Sequence, residues 1–199
     1  MMVDRRCFLG LATAGMAAFL TACTSHVEVP VYADITFTHK DPILLDVARI
    51  EVIDQYQSPG ISPNVEQEFP VSIEETAKRW ARDRLKAAGS SGTATVRILD
   101  ASVTEQQLEV EDGLTGLLTT DQSEKYSARL LIEIRAENPS RNLTGSASAE
   151  ALRSRTVLEG LTLNEREKVW YEMAENISGD MDQQMEQAIR DHMSAFITR

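Results

Sequence analysis

The sequence predicts an α+β fold in one domain. The expected form is a two-layer sandwich: a mainly antiparallel four-stranded sheet with two helices on one face, in the order β-α-β-β-β-α. Three observations predict it. Residues 124–137 place Tyr126, Ala128, Leu130, Ile132, Ile134 and Ala136 in strict alternation with polar residues, the pattern of a strand buried on one face and wet on the other. Two segments open with the N-terminal signature of a helix, Ser72 with Glu75 and Thr162 with Glu165. Only a five-residue turn, Asn138-Pro139-Ser140-Arg141-Asn142, separates the alternating strand from the next one.

Residues 1–22 read as an export signal. Asp4, Arg5 and Arg6 precede an uncharged apolar run, residues 8–20 (FLGLATAGMAAFL). A run of about 13 residues is too short to cross a bilayer as a helix and has the length of a signal-peptide core. It ends in Leu20-Thr21-Ala22-Cys23, which resembles the lipobox of bacterial lipoproteins. The resemblance implies cleavage before Cys23 and acylation of that residue, so that acyl chains hold the protein to a membrane. Stable anchoring takes more than one chain, each buried methylene contributing about 0.8 kcal/mol. Arg5-Arg6 with Phe8-Leu9 also resembles the twin-arginine export motif, although Asp4 and Gly10 depart from its pattern. Thr24 follows the cysteine where the inner-membrane retention rule asks for Asp, so the expected location is the outer membrane, facing the periplasm.

Residues 23–42 read as the lipidated cysteine and a tether, with two prolines, no helical period and a short extended segment at Ile35-Thr36-Phe37. Residues 43–199 read as the single globular domain. Residues 43–56 make the first strand, with Ala48, Ile50 and Val52 half-buried. Four prolines and glycines break residues 57–71 into an irregular loop. The first helix covers residues 72–88, with Ile73, Ala77, Trp80, Ala81, Leu85 and Ala88 on one face and Gly89 as its stop. Trp80 reads as core.

Residues 93–110 make the second strand. Ala94, Val96 and Ile98 share a face that Leu99, Ala101 and Val103 then continue in opposite phase, which predicts a bulge. Residues 143–153 make the fourth strand, with Gly145, Ala147, Ala149 and Ala151 small enough to let a helix approach. The second helix covers residues 163–198. Its stripe (Val169, Met173, Ile177, Met181, Met185, Ile189, Met193) recurs at every fourth residue, drifting about 40° per step. The stripe must therefore wrap or the helix bend, and Ser178-Gly179 is the expected place.

Charge and chemistry narrow the function. The whole chain carries a net −11, and removing the +1 of the signal leaves the mature part near −12. Such a domain is repelled by nucleic-acid phosphates and anionic lipid, and no nucleic-acid role is expected. With 42% hydrophobic and 26% charged residues it is neither disordered nor polytopic. Cys7 and Cys23 are its two cysteines, so the mature domain has no disulfide and no cysteine metal site.

His26, His39 and His192 are scattered, and Glu109, Glu111 and Asp112 read as a solvated turn. There is no nucleophile elbow, phosphate loop or H-E-x-x-H. No enzyme activity, cofactor or metal is expected. Two features remain. Residues 108–120 (LEVEDGLTGLLTT) place Leu114, Leu117 and Leu118 in a glycine-containing connection; they either form an exposed contact site or tuck onto the core. The methionines of the second helix could line an adaptable groove, although at helical spacing they read as core.

The lipobox together with the order of elements over residues 43–198 resembles the small envelope lipoproteins that serve ABC-type transporters (the PqiC-like family) and LptE-type assembly lipoproteins. The resemblance implies a non-catalytic accessory or docking subunit of an envelope transport or assembly system, with an envelope protein as partner. The alternative is a carrier with a lipid or small molecule between the C-terminal helix and the sheet.

Overall fold

The computed structural model describes residues 30–108, 122–158 and 160–198. Its elements are strands β1 (Ile43–Leu45) and β2 (Arg49–Asp54), helix α1 (Ile73–Arg84), strands β3 (Leu85–Ala87), β4 (Thr93–Asp100), β5 (Val103–Gln107), β6 (Gln122–Asn138) and β7 (Leu143–Leu158), and helix α2 (Leu163–His192). The α+β class and the two-layer arrangement are as expected.

The sheet is larger than expected, and mixed. It has five strands, and β2 pairs with β4 in parallel. The physical reason is the connection: α1 lies between β2 and β4 in the chain, and a strand-helix-strand crossover delivers the second strand parallel to the first. A separate parallel pair, β1 with β3, continues the β2–β4 ladder beyond a break at residues 46–48 and 88–92.

β6 is the spine. Along one side it carries β7 in antiparallel register from Gln122 to Asn138; along the other it carries β5 and β4, end to end. The phase slip at Leu99 is real: the register with β6 shifts between Ile98 and Asp100, and β5 resumes pairing at Val103. All six alternating residues of β6 are buried, as are Ala147, Ala149 and Ala151 of β7, and this face carries the helices. The other face is polar and charge-paired, with Arg97 bonded to Glu133 at 2.8 Å and Arg129 to both Asp100 and Glu150.

Several boundaries differ from the sequence reading. α1 ends at Arg84 rather than residue 88, because residues 85–87 are taken up by pairing with β1. In the first strand Ala48 and Val52 are exposed and only Ile50 is half-buried, since β2 is the edge of the sheet. α2 ends at His192. A 3₁₀ turn at Ser194–Phe196 then returns Phe196 to the core, and Ile197 bridges to Leu45. α2 continues unbroken through Ser178-Gly179. Both caps form: Ser72 accepts from the Glu75 amide, and Thr162 with Glu165 makes the reciprocal box. Met173, Met181, Met185 and Met193 are all buried.

Two glycines make opposite predictions. A Cβ on Gly89 would lie 2.4 Å from Asp46 Oδ1 and 2.7 Å from the Asp46–Val47 backbone, which β-pairing holds in place. Gly89→Ala should therefore destabilise the domain by about 1–3 kcal/mol in urea unfolding. Gly179 faces open space in mid-helix. Gly179→Ala should stabilise it by about 0.5–1 kcal/mol in the same measurement.

Candidate functional site at the N-terminal described segment

A buried polar network lies where the described chain begins, at its N-terminal side. Residues 30–42, expected to be free tether, are strapped across both helices. Ile35 and Phe37 are buried in the core. Arg79 of α1 pairs with Asp34 at 2.9 Å and donates to the Ile35 carbonyl at 3.1 Å, and the Phe37 amide donates to Asp83 at 2.9 Å. Tyr32 packs its ring 5.0 Å from that of Tyr171 on α2, and its hydroxyl donates to the Asn164 carbonyl at 3.4 Å.

The strap is closed by a buried ion cluster. Asp182 of α2 is fully buried, and three donors converge on its carboxylate. Lys40 Nζ donates to Oδ2 at 2.5 Å; Trp80 Nε1 and Arg84 Nε each donate to Oδ1 at 2.7 Å. Arg84 is also buried, and its two remaining amino groups donate to Glu186 and to the Asp41 carbonyl. Two cations thus face two carboxylates, and the deepest groups are saturated, as buried charge requires. Burial alone would push the Asp182 carboxyl up. The hydrogen bonds from Lys40, Arg84 and Trp80, with the Arg84 charge, outweigh it and hold the group below the usual aspartate range. A cluster so closed has no free nucleophile or base; what it can do is fix the segment over residues 34–41 to α1 and α2.

The sequence reading missed this cluster, although a signal was there. Arg84 continues the buried row Ile73, Ala77, Trp80, Ala81 of α1, and Asp182 sits beside Met181 in the stripe of α2. Each apolar row carries one charge, of opposite sign. The residues singled out from sequence are elsewhere. Cys23, Arg5, Arg6, Leu20 and Ala22 lie outside the described residues, as do Leu114, Leu117 and Leu118. Trp80 is core, and also the indole donor to Asp182. His39 and His192 are exposed. Among the described residues no group of three or more His, Cys, Asp or Glu could hold a metal ion, and no helix is long and apolar enough to cross a membrane.

Asp182→Asn keeps the shape and removes the charge, leaving Lys40 and Arg84 to face the Glu186 carboxylate alone. It should cost about 3–5 kcal/mol in urea unfolding at neutral pH. Because the native carboxyl titrates below its unfolded value, its contribution is complete above about pH 4 and is lost as pH falls through the native value. The stability gap between wild type and variant should therefore hold from neutral pH down to about pH 4 and narrow below it.

No family model matches the chain, and no curated protein matches it. Solved structures with a partial likeness include a Xanthomonas campestris protein of the DUF330 family, 11% identical, with 78% of this chain and 96% of that chain covered and a TM-score of 0.31. The dodecameric PelC of Paraburkholderia phytofirmans is 12% identical, with 72% and 92% covered and a TM-score of 0.27. A neuraminyllactose-binding hemagglutinin homolog from Helicobacter pylori is 9% identical, with 85% and 97% covered and a TM-score of 0.30. Likeness of this degree assigns no function.

Proposed function

We propose that the protein is a lipid-anchored lipoprotein of the bacterial cell envelope, on the periplasmic side and at the outer membrane, acting as a non-catalytic accessory or docking subunit of an envelope transport or assembly system. The observation that carries the anchor is Leu20-Thr21-Ala22-Cys23 directly after the apolar run. The strapped segment supports it. Pro30 begins the described chain seven residues after Cys23, and by Lys40 the chain is tied to both helices. A pull on acyl chains would thus reach the body through ion pairs and buried side chains rather than through slack.

A docking role is supported by what the fold leaves free. Among the described residues no helix covers one sheet face, which is charge-paired, and the edge strand β2 exposes Val52 and Ile53. The carrier reading has less support, because the methionines that would line its pocket are packed into the core. Leu114, Leu117 and Leu118 remain the proposed partner contacts, and the partner is an envelope protein rather than nucleic acid.

Cys23→Ser should abolish incorporation of labelled palmitate and leave the chain at precursor size; a variant that still acquires the label would remove the anchor. Deletion of residues 109–120 should leave the thermal transition of the domain in place and lose co-purification of the envelope partner. Unchanged recovery of that partner would show that these leucines do not make the contact.

A further inference from the structure

The fold gathers exposed apolar side chains at the end from which the anchor-side segment leaves. Among the described residues seven large apolar side chains are exposed, and three of them belong to this end: Val31, 96% exposed, Leu163, 63%, and Leu158, 45%. Leu158 ends β7 and Leu163 opens α2, with only residues 159–162 between them in the chain. The Tyr32 hydroxyl donates to the carbonyl of Asn164, next to Leu163, and the Tyr32 ring packs at a tilt against that of Tyr171. Val31, Tyr32, Lys168 and Tyr171, together with Glu172 and Glu175, line an open cleft of about 530 Å³. Apolar residues beside tyrosines and a long lysine form the composition that settles at a bilayer interface, with rings at headgroup depth and ammonium groups reaching back to water.

The chain outside the described residues says what covers this patch. From Cys23 to Pro30 is seven residues, at most about 25 Å when fully extended. Acyl chains on Cys23 hold the patch within that distance of the bilayer, at an effective concentration that makes even a weak contact persistent. β6 starts at this end, at Gln122, and runs 17 residues to Asn138, so the Asn138–Asn142 turn stands about 50 Å away.

We infer that the end of the domain formed by Val31, Tyr32, Leu158, Leu163, Lys168 and Tyr171 is a lipid-contacting face that rests on the leaflet holding the acyl chains and sets the long strands upright from the membrane. The inference rests on the anchoring at Cys23 proposed above. The contact is apolar rather than Coulombic, because a domain near −12 gains nothing from anionic headgroups. The charged sheet face is then left for a protein partner that also meets the leucines proposed above. The connection over residues 109–121 is rooted at the same end, where Gln107 pairs with Glu124.

The test uses the full-length lipidated protein, floated with phosphatidylcholine vesicles. With Cys23 acylated, an engineered cysteine is the free thiol of the mature chain. An environment-sensitive fluorophore on Leu163→Cys should shift to the blue and be quenched by brominated acyl chains, equally at low and high salt; one on Ser140→Cys in the distal turn should do neither. Adding Val31→Asp should abolish the response of a label on Leu158→Cys while flotation is unchanged. Two labels equally exposed to water on a protein that still floats would overturn the lipid-facing end and leave the anchor intact. Shielding at Leu163→Cys that grows with surface density would mean that a second copy covers the patch, and would also overturn it. A protein that neither floats nor carries acyl mass would overturn the anchor, and the orientation with it.

Discussion

Every layer of this molecule is built on the alternation along β6. Tyr126, Ala128, Leu130, Ile132, Ile134 and Ala136 are buried in turn, and each pair of neighbours is separated by a residue that stays in contact with water or with an ion partner. Because the side-chain period of a strand is two, a slip of one residue would exchange the faces. Three other strands take their register from this one. Register shifts at Leu99, between β4 and β6, and at Ser123, between β6 and β7, interrupt this pairing locally.

On that platform the small residues of β7 decide where α2 lies. Ala147, Ala149 and Ala151 let the helix come close, and its methionines and isoleucines fill the space. Strict four-residue spacing obliges the buried stripe to wander around α2. The structure accommodates it by burying different sides along the length, Trp170 toward Phe69 and Tyr126 near one end, Asp182 toward Trp80 and Arg84 further on. An ion pair at this depth is a poor source of net stability but a strict one of placement, since any arrangement that separates Asp182 from its donors leaves a bare charge in the core. It therefore ties two helices and the segment over residues 34–41 into one geometry.

Much of this was legible in the sequence. Period-two and near-period-four patterns located β6, β7 and both helices, and the capping residues placed each helix start, because these are local properties of the backbone and its side chains. The ends of elements were less legible. Leu85 and Ala88 continue a helical stripe, yet residues 85–87 are a strand because β1 offers hydrogen bonds there. The same competition shortens α2 at Met193, where Phe196 must turn back to be buried.

What the sequence determined by itself was class: an acidic chain with two cysteines, one alternating strand and two capped amphipathic helices. What the tertiary structure alone decided was which distant residues meet. Lys40, Trp80, Arg84 and Asp182 are up to 142 positions apart, and no local periodicity brings them together. Nor does any local signal make β2 parallel to β4, or turn the supposed tether at Ile35 and Phe37 into core. The physical reason is the same in each case. Local patterns fix dihedral angles and faces within one segment, whereas pairing partners, saturation of buried charge and the choice of edge strand are set by which surfaces remain once all segments are packed.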